Sequence, residues 1–252
     1  MKAMVLAAGL GTRLRPLTND RPKALVTVGG RPLLEIVLLR LRSFGIREAI
    51  VNTHHFAEMV GDFLRANGNF GLRIEISHEE TLLDTGGGLK KAAWFFLEDG
   101  PNPPGQPFLV HNVDVTSTID LNRLAAFHRE RGALATLAVA ERATSRYLLF
   151  DETGELCGRR TGGDGEPEMA RSAAGVQALA FSGIHVLSPR IFALLDEQGA
   201  FPIVPAYLRL AGRGEKIVAF RADACEWRDL GRVESWREAE RQAEGGWGQG
   251  QA

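Results

Sequence analysis

Cysteine is scarce: Cys157 and Cys225 are the two in 252 residues, far apart and in no CxxC or metal-ligand spacing. That excludes a disulfide framework and a cysteine-based zinc site, and two reduced thiols are expected. A dominant charge sign is missing too. Thirty Lys and Arg against 31 Asp and Glu leave a net charge of −1, which removes the electrostatic case for nucleic acid or a membrane surface. No apolar run approaches the length of a membrane span. The opening MKAMVLAAGLGTR is broken by glycine and arginine too early for a signal-peptide core, so a cytoplasmic protein is expected. Both common phosphate loops are absent. Residues 9–14 read Gly-Leu-Gly-Thr-Arg-Leu, with Leu14 at the third small position of G-x-G-x-x-G, and no Walker A Gly-Lys-Ser/Thr follows. Leu14 therefore argues against a dinucleotide-dependent dehydrogenase. There is no internal repeat.

What is present is the composition of a globular protein, 44% hydrophobic and 24% charged. Strand-like and helix-like segments alternate from Lys2–Leu6 to Ala133–Val139. Helices are expected over Pro32–Phe44, Ala57–Ala66, Thr85–Leu97 and Asp120–Arg131, the last with Asp120 as N-cap. This order predicts an α/β fold, a Rossmann-like, mainly parallel sheet with helices on both faces. After residue 140 short strands follow one another, at Arg146–Phe150, Leu156–Arg159 and Gln177–Leu187, which predicts a small β-rich insert. Helices over Pro189–Leu195 and Ile203–Ala211, strands at Lys216–Arg221 and Cys225–Trp227, and a helix over Val233–Ala243 complete the chain. Asp99–Gln106 and Thr161–Gly175 read as loops, and the tail from Glu244 as frayed. One domain over 1–243 is expected, with 1–140, 141–232 and 233–243 as its parts and 244–252 as a flexible tail.

The most informative stretch is LAAGLGTRLRPLT, residues 6–18, with Arg21-Pro22-Lys23 after it. Gly9 and Gly11 let backbone approach a ligand. Thr12 and the neighbouring amides can donate to phosphate oxygens. Arg13, Arg15 and Lys23 set cations in the same loop, as a polyanion requires. A strand that ends in such a loop is a place for a nucleoside triphosphate. The plainer reading of the glycines is a tight turn, and of Arg15 a surface charge.

This stretch, with Arg21-Pro22-Lys23-Ala24-Leu25, resembles the signature of sugar-1-phosphate nucleotidylyltransferases. Pro32-Leu33-Leu34, Asp84-Thr85-Gly86-Gly87-Gly88, Asn112-Val113-Asp114 and Trp227-Arg228-Asp229-Leu230-Gly231 agree with it in order and spacing. The segment Phe181 to Leu187 looks most like N-acetylmuramate-1-phosphate uridylyltransferases, with mannose-1-phosphate guanylyltransferase-like proteins close behind. The resemblance implies the nucleotide-diphospho-sugar transferase fold, with residues 1–140 binding nucleotide and 141–232 lying on the sugar side. It implies transfer of a nucleotidyl group from an NTP to a sugar 1-phosphate with release of pyrophosphate. UTP and an N-acetylated hexose 1-phosphate are the favoured partners, and GTP with mannose 1-phosphate the alternative. It further implies that Leu6, Ala8 and Gly9 meet the base and ribose, and that Gly11, Thr12 and Arg13 hold the triphosphate. The resemblance likewise implies that Lys23 bridges phosphates, that Gly86 and Gly87 form the opposite nucleoside wall, and that Asn112, Gly183 and Asp229 meet nucleotide and sugar. It implies that Asp114 and Asp229 bind Mg²⁺, a hard cation suited to carboxylate and phosphate oxygens, and that Arg13, Lys23 and Asp114 are the catalytic set.

Departures from the family pattern shape the rest. Val113 stands where many members have glycine, and a side chain there would narrow the site or alter the metal's approach. Arg232 stands where many have threonine. Residues 164–171 lack the lysine with which larger members meet the sugar phosphate, so Arg142, Arg146 and Arg171 are open candidates. A catalytically silent nucleotide- or sugar-sensing subunit is the competing reading, and Val113 its best argument. His54 and His55 read as a polar loop pair, His111 as a packed residue at a strand end, and Glu79 and Glu80 as a solvated loop.

Overall fold

A computed structural model describes residues 1–97, 105–162 and 165–244. The chain opens with β1 (Ala3–Leu6), then a β2 (Thr27–Val28) to β3 (Arg31–Pro32) hairpin turned by Gly29-Gly30. It continues through α1 (Leu33–Ser43), β4 (Glu48–Thr53), α2 (Ala57–Ala66) and β5 (Arg73–His78). Next come α3 (Asp84–Lys91), α4 (Ala93–Leu97), β6 (Phe108–Asn112), β7 (Val115–Ser117) and α5 (Leu121–Arg131). The second half runs β8 (Ala135–Ala140), β9 (Arg146–Phe150), β10 (Leu156–Thr161), β11 (Glu168–Met169), β12 (Gln177–Leu187), α6 (Ile203–Gly212), β13 (Ile217–Arg221), β14 (Trp227–Asp229) and α7 (Val233–Glu244).

One ten-stranded mixed sheet carries the molecule, with a main path β11-β10-β9-β12-β6-β1-β4-β5. β6, β1, β4 and β5 run parallel. Their sequences explain this: β1 and β4 are buried at every position, as strands covered on both faces must be. Ala3 and Val5 enter one core with Leu38 of α1 and Leu124 of α5. Met4 and Leu6 enter the other with Leu89 of α3 and Tyr207 of α6. The chain moves outward from β1 to β4 and β5, then returns to place β6 on β1's other side. That reversal is a topological switch point, and open α/β sheets bind ligands at the strand C-terminal ends there. β12 pairs antiparallel with β6, β8 and β9, and its register breaks between Phe181 and His185, with Gly183 at φ 72° inside the break.

Local signals translated directly. Asp120 accepts from the Asn122 and Arg123 amides as the α5 N-cap. Other expectations need correction. The Thr85–Leu97 helix is two helices, divided at Ala92, whose amide is shared between the Gly88 and Leu89 carbonyls. The segment from Pro189 is a 3-10 turn ending at Ala193. The Thr161–Gly175 loop contains β11, which pairs with β10. The Cys225–Trp227 strand is Trp227–Asp229, because its partner β7 fixes the register. Most of the Asp99–Gln106 loop and the tail after Glu244 lie outside the described residues. No described helix is long and apolar enough to cross a membrane.

Three histidines are held neutral by the fold. Burial lowers His111 and His128 to about 4, and His185, hydrogen-bonded through Nδ1 to the Tyr207 hydroxyl, to about 3. The unfolded chain protonates near the ordinary value of 6.5, so between that pH and about 4 it binds more protons than the native state. Stability is therefore full above pH 6.5 and is lost as pH falls. Urea unfolding at pH 7.5 and pH 5 is expected to differ by on the order of 1–2 kcal/mol per histidine. Equal stability at the two pH values contradicts buried neutral imidazoles.

Candidate functional site

The loop after β1 is shaped from beneath. Asn52, near the end of β4, accepts from the Ala7 amide at 2.7 Å and the Ala8 amide at 3.4 Å. Its Nδ2 donates to Glu79 Oε1 at 2.8 Å, and Glu79 Oε2 accepts from the Leu83 amide at 2.9 Å. Glu79 is fully buried, which corrects the solvated-loop expectation; Glu80 alone is exposed. A carboxylate at that depth needs its hydrogen bonds, and here they join the β1 loop to the start of α3. Sequence reading missed Asn52. Its only signal is a polar residue near the close of the apolar run of β4.

Gly11 sits at φ 63°, and a Cβ there would lie 2.9 Å from Thr18 Cγ2. Both facts demand glycine. The Thr18 hydroxyl donates to the Gly11 carbonyl, and Thr12–Leu14 form a 3-10 turn. Leu14 is buried in the core, which anchors the turn and leaves Arg13 exposed.

Lys23 Nζ lies 2.9 Å from Asp114 Oδ2, and both side chains are largely buried. Asp114 follows β6. The β7–β14 ribbon, and the Leu230 amide bonded to the Asp114 carbonyl, bring Asp229 beside it. Asp229 Oδ1 accepts from the Gly231 amide at 2.8 Å. A Cβ on Gly231 would sit 2.5 Å from Asp114 Oδ2, 2.8 Å from Asp229 Oδ1 and 3.4 Å from Arg13 Nη2. Two carboxylates and a guanidinium, from three segments spread over more than 200 positions, thus surround one bare α-carbon.

A cavity of about 860 Å³ opens there. It brings together Leu6, Arg13, Asn112, Asp114, Gly183 and Asp229 of the expected residues. Lys23 joins through Asp114, and a Cβ on Gly9 would lie 3.5 Å from Lys23 Nζ. Ala8 and Thr12 are on the same loop but not on the cavity wall. Gly86 and Gly87 are not on the wall either. Their amides donate to the Phe201 carbonyl, and a Cβ at either would collide with Phe201 or Gly199. Asp84 and Thr85 line the cavity in their place. Val113 is fully buried in the core and does not narrow the site.

The open choice of sugar-side cation is narrowed by packing. Arg171 is committed to Asp151, Glu155 and the Leu156 carbonyl. Arg142 lies on the cavity wall with its guanidinium 3.6 Å from the Trp227 ring centroid. It donates to the Phe181 carbonyl and the Ser182 hydroxyl. Burial lowers its pKa, and the Asp229 carboxylate opposes that shift. His54 bonds the Glu79 carbonyl through Nδ1. Among the described residues no group of three His, Cys, Asp or Glu could hold a metal. The Asp114–Asp229 pair is a two-carboxylate set, the number magnesium ordinarily takes from protein when phosphates supply further oxygens.

Comparison with known proteins identifies the family. The family model described as nucleotidyl transferase matches residues 2–245. An N-acetylmuramate alpha-1-phosphate uridylyltransferase of Caulobacter vibrioides is 38% identical over 221 residues, covering 84% of this chain and 85% of the relative. One from Neisseria meningitidis is 30% identical, covering 98% of this chain and 100% of its own. A solved structure of a UDP-glucose pyrophosphorylase complexed with UDP-glucose superposes with a TM-score of 0.77 at 19% identity, covering 97% of this chain and 98% of that one. The chain belongs to the nucleotidyl transferase family, as an enzyme of the sugar-1-phosphate nucleotidyltransferase type.

Proposed function

We propose that this enzyme transfers a uridylyl group from UTP to an N-acetylated hexose 1-phosphate. The observation that carries the reading is the meeting of Asp114, Asp229 and Arg13 around Gly231, with Lys23 on Asp114. The likeness to two N-acetylmuramate alpha-1-phosphate uridylyltransferases supports the choice of base and sugar. A sugar-phosphate oxygen attacks the α-phosphorus, a new P–O bond forms, and the bond to the β-phosphate oxygen breaks to release pyrophosphate. The nucleophile is already an anion, so no general base is needed. Repulsion and alignment are the barrier.

The chain's own groups answer both. The Arg13 guanidinium holds the β- and γ-phosphates, where charge builds on the leaving group. Lys23 leaves Asp114 for the α-phosphate. Asp114 and Asp229 are the residues that would hold Mg²⁺, which would supply charge neutralisation to the phosphates. Arg142, flattened on Trp227, receives the sugar phosphate. Arg142→Gln is expected to raise the KM for sugar 1-phosphate about 30-fold, the usual cost of cutting one partner of a desolvated charge pair, with the KM for UTP unchanged. Equal effects on both substrates remove Arg142 from the sugar side.

Pyrophosphate release from four NTPs against muramyl, glucosyl, mannosyl and glucosaminyl phosphates tests the reading. UTP with an N-acetylated sugar should dominate. Preference for GTP with mannose 1-phosphate moves the base and sugar. Nucleotide binding without turnover on any pair overturns catalysis.

A further inference from the structure

The strand path ends at β5, and among the described residues no strand pairs with its outer side. β5 reads Arg73-Ile74-Glu75-Ile76-Ser77-His78, and its six residues face six consecutive residues of β4. Neither proline nor a bulge interrupts it. At the other end of the path β11 is only two residues long. A long open edge is a template for another strand unless something blocks it.

The ladder decides which backbone groups face outward. The Arg73 amide donates to the Arg47 carbonyl and the Glu79 amide to the Thr53 carbonyl. Every second residue of a parallel strand turns its amide and carbonyl to the same neighbour, so the odd-numbered residues face β4. Leu72, Ile74, Ile76 and His78 turn theirs outward. The side chains alternate between the sheet faces. Leu72 and Ile74 pack into the core with Leu38 of α1 and Leu64 of α2. Ile76 shares their face, and a Cβ on Gly61 of α2 would lie 3.7 Å from its Cδ1, yet Ile76 stays 39% exposed. Arg73 lies on the other face, bonded to Glu48 at 3.0 Å, with Glu75 on the same face 3.7 Å from its Nη2.

An edge of one charge sign repels its own copy. β5 carries both signs, two positions apart on one face. We propose that β5 is a self-association edge, on which two copies of this chain pair antiparallel about a two-fold axis at Ile74 and join their sheets into one. Backbone and charge set the register together. Outward residues must meet outward residues, so the axis passes through a β5 residue. An axis at Arg73 or Glu75 sets like charges face to face, which is destabilising. An axis at Ile76 sets Arg73 against Glu79, which is buried and bonded to Asn52. An axis at Ile74 pairs Ile74 with its own copy, Ile76 with the copy's Leu72, and Arg73 with the copy's Glu75 at two symmetric crossings. Those crossings are non-hydrogen-bonded positions, where facing side chains come closest. The arrangement closes on itself, whereas a head-to-tail addition would leave an edge open and grow. No β5 residue lines the cavity, so the pairing is independent of the reaction proposed above.

Sedimentation velocity of the full chain over a dilution series tests this. Wild type should pass from the mass of one chain to twice that mass as concentration rises. Glu75→Arg and Arg73→Glu each set like charges at both crossings, and each alone should raise the dimer dissociation constant about 10-fold or more. Mixed in equal amounts, the two variants present opposite signs to one another at both crossings, and the dimer should return. Circular dichroism checks that each variant is folded. Glu75→Arg leaves the Arg73–Glu48 contact in place and carries the test alone if Arg73→Glu, parted from Glu48, does not fold. A single species of one chain's mass at every concentration overturns the proposal, and so does a dimer indifferent to Glu75→Arg. Dimers lost in both folded variants and not restored by mixing them overturn the register.

Discussion

Asp114→Asn is expected to release pyrophosphate about 100- to 1,000-fold more slowly than wild type, as loss of a preorganised charge at the reacting centre implies. The variant keeps the size and shape of the side chain and retains an oxygen that can accept from Lys23. The surrounding backbone is held independently, by the Val113 amide on the Leu6 carbonyl and the Leu230 amide on the Asp114 carbonyl. The fold should therefore persist. What disappears is one of the two negative charges around Gly231. Affinity for Mg²⁺, measured by titration calorimetry in the presence of UTP, should fall in parallel. A folded Asp114→Asn enzyme turning over at the wild-type rate removes Asp114 from the metal set.

Lys23→Ala should cost about 2–4 kcal/mol in kcat/KM for UTP, the usual loss for one preorganised charge contact. The substitution has a second consequence, opposite in kind to that of Asp114→Asn. Lys23 is the cation paired with Asp114 at 2.9 Å, in a place where both side chains are largely hidden from water. Without it two carboxylates face each other with no cation at 2.9 Å. A buried charge stripped of its partner destabilises a protein, so the free variant should melt earlier than wild type, and added Mg²⁺ should recover more stability in the variant than in wild type. Unchanged kcat/KM together with an unchanged melting temperature places Lys23 outside the site.

The sequence was most legible where structure is decided locally. The Asp120 cap and the tight turn at Gly11 each depend on a few neighbouring residues. The buried parallel strands were legible because they carry continuous apolar runs, and the order of elements followed from them. What escaped reading is set by distant partners. Glu79 is buried because Asn52, 27 positions away, and the start of α3 close over it. Asp229 lies inside a strand because β7, over a hundred positions earlier, imposes the pairing. Arg171 is removed from the sugar side by Asp151, whose carboxyl is lowered to about 2: burial pushes it up, and hydrogen bonds from Thr153, the Glu155 amide and Arg171 outweigh that. Gly86 and Gly87 show a further limit. Their identity is explained by packing against Phe201 and Gly199, a requirement that no local pattern distinguishes from approach to a ligand.

The most direct test of the central claim is an anomalous difference map from crystals grown with Mn²⁺ and UTP. The account predicts a peak touching both Asp114 and Asp229 beside Gly231, with Lys23 turned from Asp114 to a phosphate oxygen. A peak that avoids this pair, with the Lys23–Asp114 contact intact beside bound nucleotide, would contradict it.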